Sequence, residues 1–375
     1  MGIMKVIAGQ PSYTVASDKV NAAVTVQGGH LTARFNTGKG EIDPFFTAPW
    51  WSEGVDEELP SILQVLRGDF FCFPFGGGED GEHGITCPPH GQTACDPWDF
   101  RALNQDKAGS TLELAMDLDA GGRVSKRISL KEGEPVIYNE HVVEGFTGNI
   151  PLGYHPTLKL PDRPGAGIID MSPPITGFTT PERFEIPEAG GYSRLALGAE
   201  ITDRTLVPTI DGDTVDISRY PTPSGFEDLT IFISDPERDF SFTAASLPDE
   251  GYLYFQLKNP RILAQTLFWM SNGGRHYAPW NGRVRSVLGM EEITSYFHYG
   301  IGMSIGDNII RERGYPSSVQ LDGSTSSYKI IMGLVPIGKK FRGVSDIRKK
   351  DEGTIEVVGI GGELFDVPCR VNFLL

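Results

Sequence analysis

Residues 66–76 read LRGDFFCFPFG, and this stretch carries the most information about the fold of the chain. Within it, Arg67 precedes a run of phenylalanines that a proline and a glycine interrupt. A second informative stretch is PPHG at residues 88–91, with Trp98 shortly after it. The two stretches place a guanidinium, an imidazole and aromatic rings within a short span of a chain that otherwise predicts β-strands.

Strand-like runs dominate the rest of the chain. The runs are rich in Val, Ile, Leu and aromatic residues and are bounded by Gly, Pro, Asp or Asn, as is typical of β-strands. The chain of 375 residues contains 46 glycines and 27 prolines, which indicates many turns and few long helices. Residues 57–66 are the best helix candidate, and the Pro- and Gly-rich residues 161–187 are expected to form a long surface connection. An all-β fold follows, either a large antiparallel sandwich or a barrel. The predicted strands are 22–27, 31–35, 123–130, 136–143, 252–257, 263–270, 328–337 and 354–360.

The net charge of the chain disfavours some classes of binding partner. A formal net charge of −16 argues against nucleic acid and against anionic membrane surfaces, because both require clustered Lys and Arg. No apolar run is long enough for a signal peptide or a membrane span, so a cytoplasmic protein is expected. Its four cysteines are irregularly spaced and are expected to be free thiols.

Arg67 and His90 are candidate ligand-binding residues. A guanidinium presents five donors in a rigid fork and can hold adjacent hydroxyls or a developing alkoxide. Arg67 could equally pair with Asp69 at a strand end. His90 is predicted on a stiff, exposed turn that a ligand can reach, and its alternative is a surface histidine without a function.

His155 and Glu291 are candidate catalytic residues. His155 follows a strand-like run and precedes a proline, and a histidine near its ordinary pKa exchanges protons readily. The alternative is a core histidine bonded to a backbone carbonyl. Glu291 and Glu292 follow a predicted strand, 284–289, so one carboxylate is expected to face a ligand and the other solvent. Both could also be ordinary surface acids.

Aromatic residues flank the approach to Glu291. The indole of Trp280 is a candidate for stacking on the apolar face of a pyranose, whereas Trp269 is interpreted as an ordinary core residue. No serine-hydrolase, dinucleotide-binding or phosphate-loop motif is present. His90 and its neighbours lack the paired spacing of a zinc site, so neither a metal nor a cofactor is expected. The glycine-rich residues 75–84 are expected to form an acidic rim or lid.

Taken in order, these motifs resemble the aldose 1-epimerase (galactose mutarotase-like) superfamily. The matching segments are GGHL at 28–31, the run at 66–76, HG with Trp at 90–98, GYHP at 153–156 and GME at 289–291. The run at 66–76 is most similar to the hexose-6-phosphate 1-epimerase branch. The matches are short but collinear, and they cover about residues 24 to 300.

The resemblance implies a large antiparallel β-super-sandwich that interconverts the α and β anomers of an aldose without a cofactor. It implies that His155 is the general acid for the ring oxygen and that Glu291 is the base for the C1 hydroxyl. Arg67 and His90 would hold hydroxyls of the sugar. The expected partner is a small sugar or sugar phosphate, and the chain is also expected to form a homodimer.

The sequence departs from the hexose-6-phosphate branch at three positions. An arginine expected shortly after His90 is Ala94, the second glycine of the Arg-Gly-Gly run is Asp69, and Glu292 stands where proline is frequent. The choice between Glu291 and Glu292 as the base therefore stays open, as does phosphorylation of the sugar. Residues 301–375 match no motif and are interpreted as added strands of one domain spanning 1–375.

Two other classes of function remain alternatives at this point, a non-catalytic carbohydrate-binding protein and a polysaccharide-acting enzyme, either a hydrolase or a lyase. A non-catalytic carbohydrate-binding protein would keep the aromatic residues and Arg67 without needing both His155 and Glu291 at one ligand. A glycoside hydrolase would need two carboxylates at a defined separation in the cleft. A polysaccharide lyase would need a basic cleft, which the net charge of −16 disfavours.

Overall fold

A computed structural model describes residues 4–54, 58–81 and 83–375 of the protein. Strands dominate it, and every pair of neighbouring strands in its sheets is antiparallel, which confirms the all-β prediction. In the N-terminal part of the chain the strands are β1 (Met4–Ile7), β2 (Gln10–Ala16), β3 (Val20–Thr25), β4 (Leu31–Asn36), β5 (Glu41–Ile42), β6 (Phe71–Cys72), β7 (Glu79–Asp80), β8 (Thr86–Cys87), β9 (Asp99–Asp106), β10 (Gly109–Asp117), β11 (Arg123–Lys131), β12 (Val136–Glu144), β13 (Thr147–Ile150), β14 (Leu152–Tyr154) and β15 (Thr157–Lys159).

The remaining strands have the same character and continue to the C-terminus. They are β16 (Gly167–Met171), β17 (Thr176–Thr179), β18 (Glu200–Ile201), β19 (Val207–Pro208), β20 (Thr214–Val215), β21 (Arg219–Tyr220), β22 (Phe226–Ile233), β23 (Ser241–Leu247), β24 (Tyr252–Lys258), β25 (Gln265–Asn272), β26 (Val287–Thr294), β27 (Val319–Asp322), β28 (Ser326–Pro336), β29 (Val344–Lys349), β30 (Thr354–Gly359) and β31 (Leu364–Pro368).

Helices are few and short. Among residues 4–54, 58–81 and 83–375, no helix combines the length and the hydrophobicity needed to cross a lipid bilayer. The helix predicted at 57–66 is observed only as five residues that begin directly after Pro60, and Glu57 lies outside the described residues. The α-helices are α1 (Ser61–Val65), α2 (Gln92–Cys95), α3 (Gly300–Ile305) and α4 (Ile309–Glu312), and short 3-10 helices span Pro49–Ser52, Pro187–Ala189 and Val371–Leu374.

Two large sheets form the body of the sandwich. The nine-stranded sheet has the order β21-β16-β23-β24-β28-β12-β11-β10-β9. The eight-stranded sheet has the order β18-β17-β22-β25-β26-β14-β6, and β15 also pairs with β26. One apolar cluster joins the facing sides of the two sheets, with Tyr254 from β24 and Met290 from β26 among its members. β1–β5 form a separate five-stranded sheet whose apolar residues belong to the same cluster.

The C-terminal residues are an integral part of the sandwich. β28 lies between β24 and β12 in the nine-stranded sheet, so it holds the two halves of that sheet together. β29–β31 form a three-stranded sheet that packs on alternate residues of β24, including Leu253 and Phe255. β24 is therefore buried on both faces.

The predicted surface connection at 161–187 is only partly observed. It contains β16, which belongs to the nine-stranded sheet, and β17, which belongs to the eight-stranded sheet. The segment thus carries the chain from one sheet to the other. The two short strands were not predicted, because the segment contains many prolines and glycines. The alternation of polar and apolar residues is also weak in strands of only four or five residues.

Candidate active site

A cavity of about 360 Å³ lies on the face of the eight-stranded sheet that is turned away from the nine-stranded sheet. β25 and β26 form its floor, because Trp269 and Glu291 line it while their neighbours Phe268 and Met290 point into the sandwich. Most of its lining is apolar or aromatic, as is usual for small-molecule sites. The polar side chains that line it belong to His90, His155, Arg275, Tyr277, Glu291 and His298.

Backbone pairing brings His155 opposite Glu291. β14 and β15 both pair with β26, with Tyr154 opposite Glu292 and Thr157 opposite Gly289. Between these pairs His155 interrupts the ladder, and the backbone N–H of Met290 donates to the carbonyl oxygen of Pro156 at 2.7 Å. Two neighbouring strand segments thus fix the two predicted catalytic residues.

The side chains of His155 and Glu291 are in direct contact at the floor of the cavity. His155 Nε2 lies 3.2 Å from Glu291 Oε1, and the two side chains are 8% and 2% exposed. The other ring nitrogen, Nδ1, is 3.1 Å from the hydroxyl of Thr157. The backbone N–H of His155 donates to Asp69 Oδ1 at 3.1 Å, which anchors the residue from behind. One ring nitrogen is thus held by the protein and the other faces the carboxyl.

Burial shifts the acidity of both groups toward their uncharged forms. It lowers the pKa of His155 well below its ordinary value, and the neighbouring His90 acts in the same direction. Burial also raises the pKa of Glu291 well above its ordinary value. The buried pair therefore favours a neutral imidazole beside a protonated carboxyl over an ion pair.

Gly289 provides the space that the Glu291 side chain occupies. A Cβ at Gly289 would lie 2.5 Å from Glu291 Oε1 and 3.0 Å from Cβ of Trp269. Any larger residue would therefore displace the carboxyl from His155. This contact gives a physical reason for the glycine in the Gly-Met-Glu sequence.

Glu292 faces the opposite side of β26, as expected for adjacent strand residues, but it does not reach solvent. It is 1% exposed, and its carboxylate lies 2.5 Å from Lys258 Nζ inside the sandwich. Gln256 Nε2 donates to it at 2.8 Å and Thr266 Oγ1 at 2.7 Å, and the hydroxyl of Thr243 donates as well. Glu291, not Glu292, is therefore the carboxyl that lines the cavity.

Aromatic rings surround the pair. Phe70 stacks on the His155 ring with centroids 4.4 Å apart, and Trp269 lies edge-on to it at 5.8 Å. Trp280 lines the cavity, and the centre of its ring lies 6.0 Å from that of Trp269. The interpretation of Trp269 as an ordinary core residue is incomplete, because its ring also forms part of the cavity wall.

His90 lines the cavity at the sequence-predicted turn. Its backbone has φ +64°, and Nδ1 lies 3.3 Å from the thiol of Cys72, which leaves the rest of the ring toward the cavity. Its ring meets that of His155 at a centroid distance of 5.2 Å. Burial lowers the pKa of His90 to about 3, so the ring is uncharged at neutral pH. The turn itself stays partly exposed at Pro89, while the half-buried His90 lines the cavity.

Arg67 is not directed into the cavity. Its guanidinium donates to the backbone carbonyls of Ile7 at 2.8 Å, Ala8 at 3.0 Å and Val65 at 3.0 Å. These hydrogen bonds occupy Nε, Nη1 and Nη2 of Arg67, the donors that were expected to bind a ligand. The expectation that Arg67 holds sugar hydroxyls is corrected accordingly, because its donors fix the N-terminal β1–β2 hairpin. The alternative pairing with Asp69 is not observed either, since Asp69 accepts from His155 and Asn139.

Arg275 and His298 are cavity residues that the sequence analysis missed. Arg275 follows two glycines in the loop between β25 and β26, and His298 follows β26. The Gly-Gly-Arg sequence, placed between a strand and the tryptophan at 280, was the available signal. His298 Nδ1 is buried and has no hydrogen-bond partner among the described residues.

The residues considered for zinc do not come together. His83 contacts Glu79 at 3.1 Å, and the thiol of Cys95 donates to the carbonyl of Pro89 at 3.4 Å. Within the part of the chain that the structure describes, His, Cys, Asp and Glu side chains form no group of three or more that could hold a metal ion. The four cysteines are free thiols.

Comparison with known proteins identifies the fold. Neither a protein-family model nor a curated protein sequence matches the chain. Among solved structures, the chain is similar to a galactose mutarotase-like protein from Clostridium acetobutylicum, with 13% identity, a TM-score of 0.59 and coverage of 89% of this chain and 98% of that one.

Two further solved structures agree with this match. A galactose mutarotase related enzyme from Lactobacillus acidophilus has 11% identity and a TM-score of 0.55, with coverage of 88% of this chain and 100% of that one. An aldose epimerase homologue from C. elegans has 12% identity and a TM-score of 0.52, again with coverage of 88% and 100%. The chain therefore has the galactose mutarotase-like fold, the large antiparallel β-sandwich shared by proteins of the aldose 1-epimerase type.

Proposed function

We propose that the protein is an aldose 1-epimerase-like isomerase that interconverts the α and β anomers of an aldose. The observation that supports this function most directly is the contact between His155 Nε2 and Glu291 Oε1, 3.2 Å apart at the floor of an aromatic cavity. Opening of a pyranose requires one proton to reach the ring oxygen and another to leave the C1 hydroxyl. An imidazole and a carboxyl that share one transferable proton can perform both transfers.

In the proposed mechanism the sugar takes the place of the direct contact between the two side chains. His155 donates a proton to the ring oxygen while Glu291 accepts the proton of the C1 hydroxyl, so the C1–ring-oxygen bond breaks and a C1 carbonyl forms. Rotation about the C1–C2 bond presents the other carbonyl face. Ring closure then reverses both transfers, and neither a cofactor nor an oxidant is consumed.

The surroundings of the pair suit this chemistry. Because burial disfavours charge on both groups, polar hydroxyls of the sugar are needed to stabilise the charged form in which His155 is the acid and Glu291 the base. The indoles of Trp269 and Trp280 offer apolar surface to the C–H face of a pyranose. His90 and His298 add uncharged ring nitrogens that can bond to hydroxyls.

Exchange spectroscopy of anomeric protons tests the proposal. We expect the protein to accelerate exchange for at least one of galactose, glucose and other aldoses. His155→Ala and Glu291→Gln should each lower the accelerated rate about a hundredfold or more, the usual scale of acid–base catalysis. His83→Ala and Glu200→Gln are matched controls, since neither residue lines the cavity, and both should retain the wild-type rate.

The same experiment separates the enzyme from a carbohydrate-binding protein. A sugar that binds in the cavity without any acceleration of exchange would contradict the isomerase and support the binding protein. Acceleration that survives both His155→Ala and Glu291→Gln would contradict the assigned residues while retaining the reaction.

A further inference from the structure

We infer that Arg275, together with Glu185 and Glu227, makes the cavity selective for uncharged aldoses over sugar phosphates and sugar acids. This inference rests on the proposed function to the extent that a sugar occupies the cavity. Arg275 and its two partners determine which sugars enter the cavity, whereas His155 and Glu291 carry out the proposed proton transfers.

The guanidinium of Arg275 is held in one orientation. Its Nε donates to Glu185 Oε1 at 2.6 Å, and the guanidinium carbon lies 4.5 Å from the ring centre of Trp280, 5.1 Å from Phe184 and 5.5 Å from Trp269. Among the described residues, no hydrogen-bond acceptor is recorded for its two terminal nitrogens. Arg275 therefore has a fixed position and terminal donors that remain available to a ligand.

Glu185 and, in part, Glu227 compensate the charge of Arg275, because burial raises the pKa of Glu227 to about 7 and leaves it only partly ionised at neutral pH. Glu185 is the direct partner and also accepts a hydrogen bond from the hydroxyl of Tyr277 at 2.9 Å. Glu227 is 1% exposed and accepts from Trp269 Nε1 at 3.1 Å and from Ser271 Oγ at 2.9 Å. Burial alone would lower the pKa of Arg275, but Glu227 and Glu185 raise it, so both carboxylates act on the guanidinium.

No other cation assists Arg275 in the cavity. It is the only lysine or arginine among the described residues that line the cavity. Burial lowers the pKa of His90 to about 3 and that of His298 to about 4, so both rings are uncharged at neutral pH. A phosphate dianion entering the cavity would lose its hydration, gain one compensated cation and approach Glu185. Hydroxyl groups meet no such repulsion and can accept from the terminal nitrogens of Arg275.

The backbone fixes this arrangement at the rim of the cavity. We define the rim loops as residues 181–192 and 273–286. The N–H of Tyr192 donates to the carbonyl of Gly274 at 3.0 Å, and the N–H of His276 donates to the carbonyl of Gly190 at 2.8 Å. These bonds join the loop that carries Glu185 to the loop that carries Arg275. The charge compensation is therefore part of the folded structure and does not depend on a chance surface ion pair.

Trp269 contacts both Arg275 and the proposed catalytic His155. The centre of its ring lies 5.8 Å from the centre of the His155 ring and 5.5 Å from the Arg275 guanidinium carbon. A pyranose that packs against this indole with C1 at His155 would present its far hydroxyls to Arg275. A phosphate on that far end would meet Glu185 as well.

Calorimetric titration of the full chain with galactose, glucose, glucose 6-phosphate and glucuronate tests the inference, with anomer exchange measured on the same samples. We expect the wild-type protein to bind at least one neutral sugar about tenfold or more tightly than either anion. Glu185→Gln should increase the affinity for glucose 6-phosphate about tenfold, because it removes the direct counter-charge of Arg275. Glu200→Gln, which breaks a surface ion pair with Arg313, is the matched control and should change neither affinity.

The outcomes distinguish this inference from the proposed function. Equal or tighter binding of glucose 6-phosphate by the wild-type protein, no binding of any neutral sugar, or no gain in Glu185→Gln would overturn the selectivity. Selective binding of neutral sugars without accelerated exchange would retain the selectivity and contradict the isomerase. Accelerated exchange of glucose 6-phosphate at a rate similar to that of glucose would retain the isomerase and contradict the selectivity.

Discussion

Glu291 and Glu292 show how much the surroundings of a side chain decide its role. They are adjacent on β26, and both are almost completely buried. Glu291 faces the cavity and contacts His155, whereas Glu292 is surrounded by donors and paired with Lys258. A carboxylate so fully satisfied is a structural group, because a buried charge is tolerated only when it is paired and hydrogen-bonded. The adjacent carboxyl lacks that compensation and is available for proton transfer.

The two glutamates should differ sharply in their contribution to stability. Glu292→Gln leaves Lys258 buried without its counter-charge and should lower the free energy of unfolding by about 3–5 kcal/mol. Glu291→Gln keeps a donor toward His155 and should change it by less than about 1 kcal/mol. Urea unfolding followed by far-ultraviolet circular dichroism measures both. A double variant with methionine at both Lys258 and Glu292 should recover most of the loss, and equal effects of the two glutamine substitutions would contradict the assignment.

The pH dependence of anomer exchange should reflect the shifted acidities of His155 and Glu291. Exchange requires the pair to hold one proton, so protonation of His155 on the acid side and ionisation of Glu291 on the alkaline side both stop it. Burial lowers the pKa of His155 below 6.5, which moves the acid limb to lower pH. Burial raises the pKa of Glu291 above 4.5, which moves the alkaline limb to higher pH.

We therefore expect a bell-shaped profile of kcat/KM whose acid limb lies below pH 6.5. Measurement of exchange from about pH 4 to about pH 9 tests this expectation. An acid limb at the ordinary histidine value would show that His155 titrates as an exposed ring and would contradict the burial argument.

At the scale of elements, the β1–β2 hairpin depends on one side chain from another part of the chain. β1 is largely exposed and pairs only with β2, so backbone hydrogen bonds alone attach it weakly to the sheet. Arg67 is 2% exposed and spans the distance to this hairpin with hydrogen bonds to Ile7 and Ala8. A buried guanidinium that donates to carbonyls at the end of β1 ties the edge of the five-stranded sheet to the segment that leads to the cavity.

Removal of this anchor should loosen the hairpin. Arg67→Met preserves much of the apolar stem but leaves the carbonyls of Ile7 and Ala8 without their donor, at a cost of about 1–3 kcal/mol each if they stay buried. Hydrogen–deuterium exchange should therefore accelerate in a peptide covering residues 4–16. A peptide covering 252–258 in β24 is the internal control and should exchange at the wild-type rate. Unchanged exchange in both peptides would contradict the anchoring role.

At the scale of the whole molecule, the collinear motifs predicted the architecture well, because the order of such motifs along the chain reflects the course of the backbone. The antiparallel sandwich was predicted, and His155 and Glu291, which the resemblance paired, do meet across paired strands. The direction in which each side chain points was harder to predict from the sequence. Arg67 follows the motif in sequence, yet its guanidinium turns toward a hairpin about sixty residues away along the chain, a long-range contact that no local pattern encodes. Arg275 was missed for the same reason, since its role arises from a carboxylate on another loop.

The C-terminal residues should be indispensable to the sandwich. Deletion of 301–375 removes β28 from between β24 and β12 and should abolish folding, because it separates the nine-stranded sheet into two parts. Deletion of 338–375 retains β28 but uncovers an apolar surface that includes Leu253 and Phe255. This shorter deletion should retain strand content by circular dichroism and bind a hydrophobic dye strongly. A folded, dye-free protein after the longer deletion would contradict the central place of β28.

The proposed catalytic pair lies on the sheet, whereas the charge-compensated arginine lies on the rim loops, and this separation bears on how such a protein can diversify. His155 and Glu291 are registered by the pairing of β14 and β15 with β26, which any change of loop sequence leaves intact. Arg275 and Glu185 lie on loops that tolerate replacement more readily than strands do. Replacement of these loops can therefore change which sugars the cavity would admit, while the proposed proton-transfer pair keeps its register on the sheet.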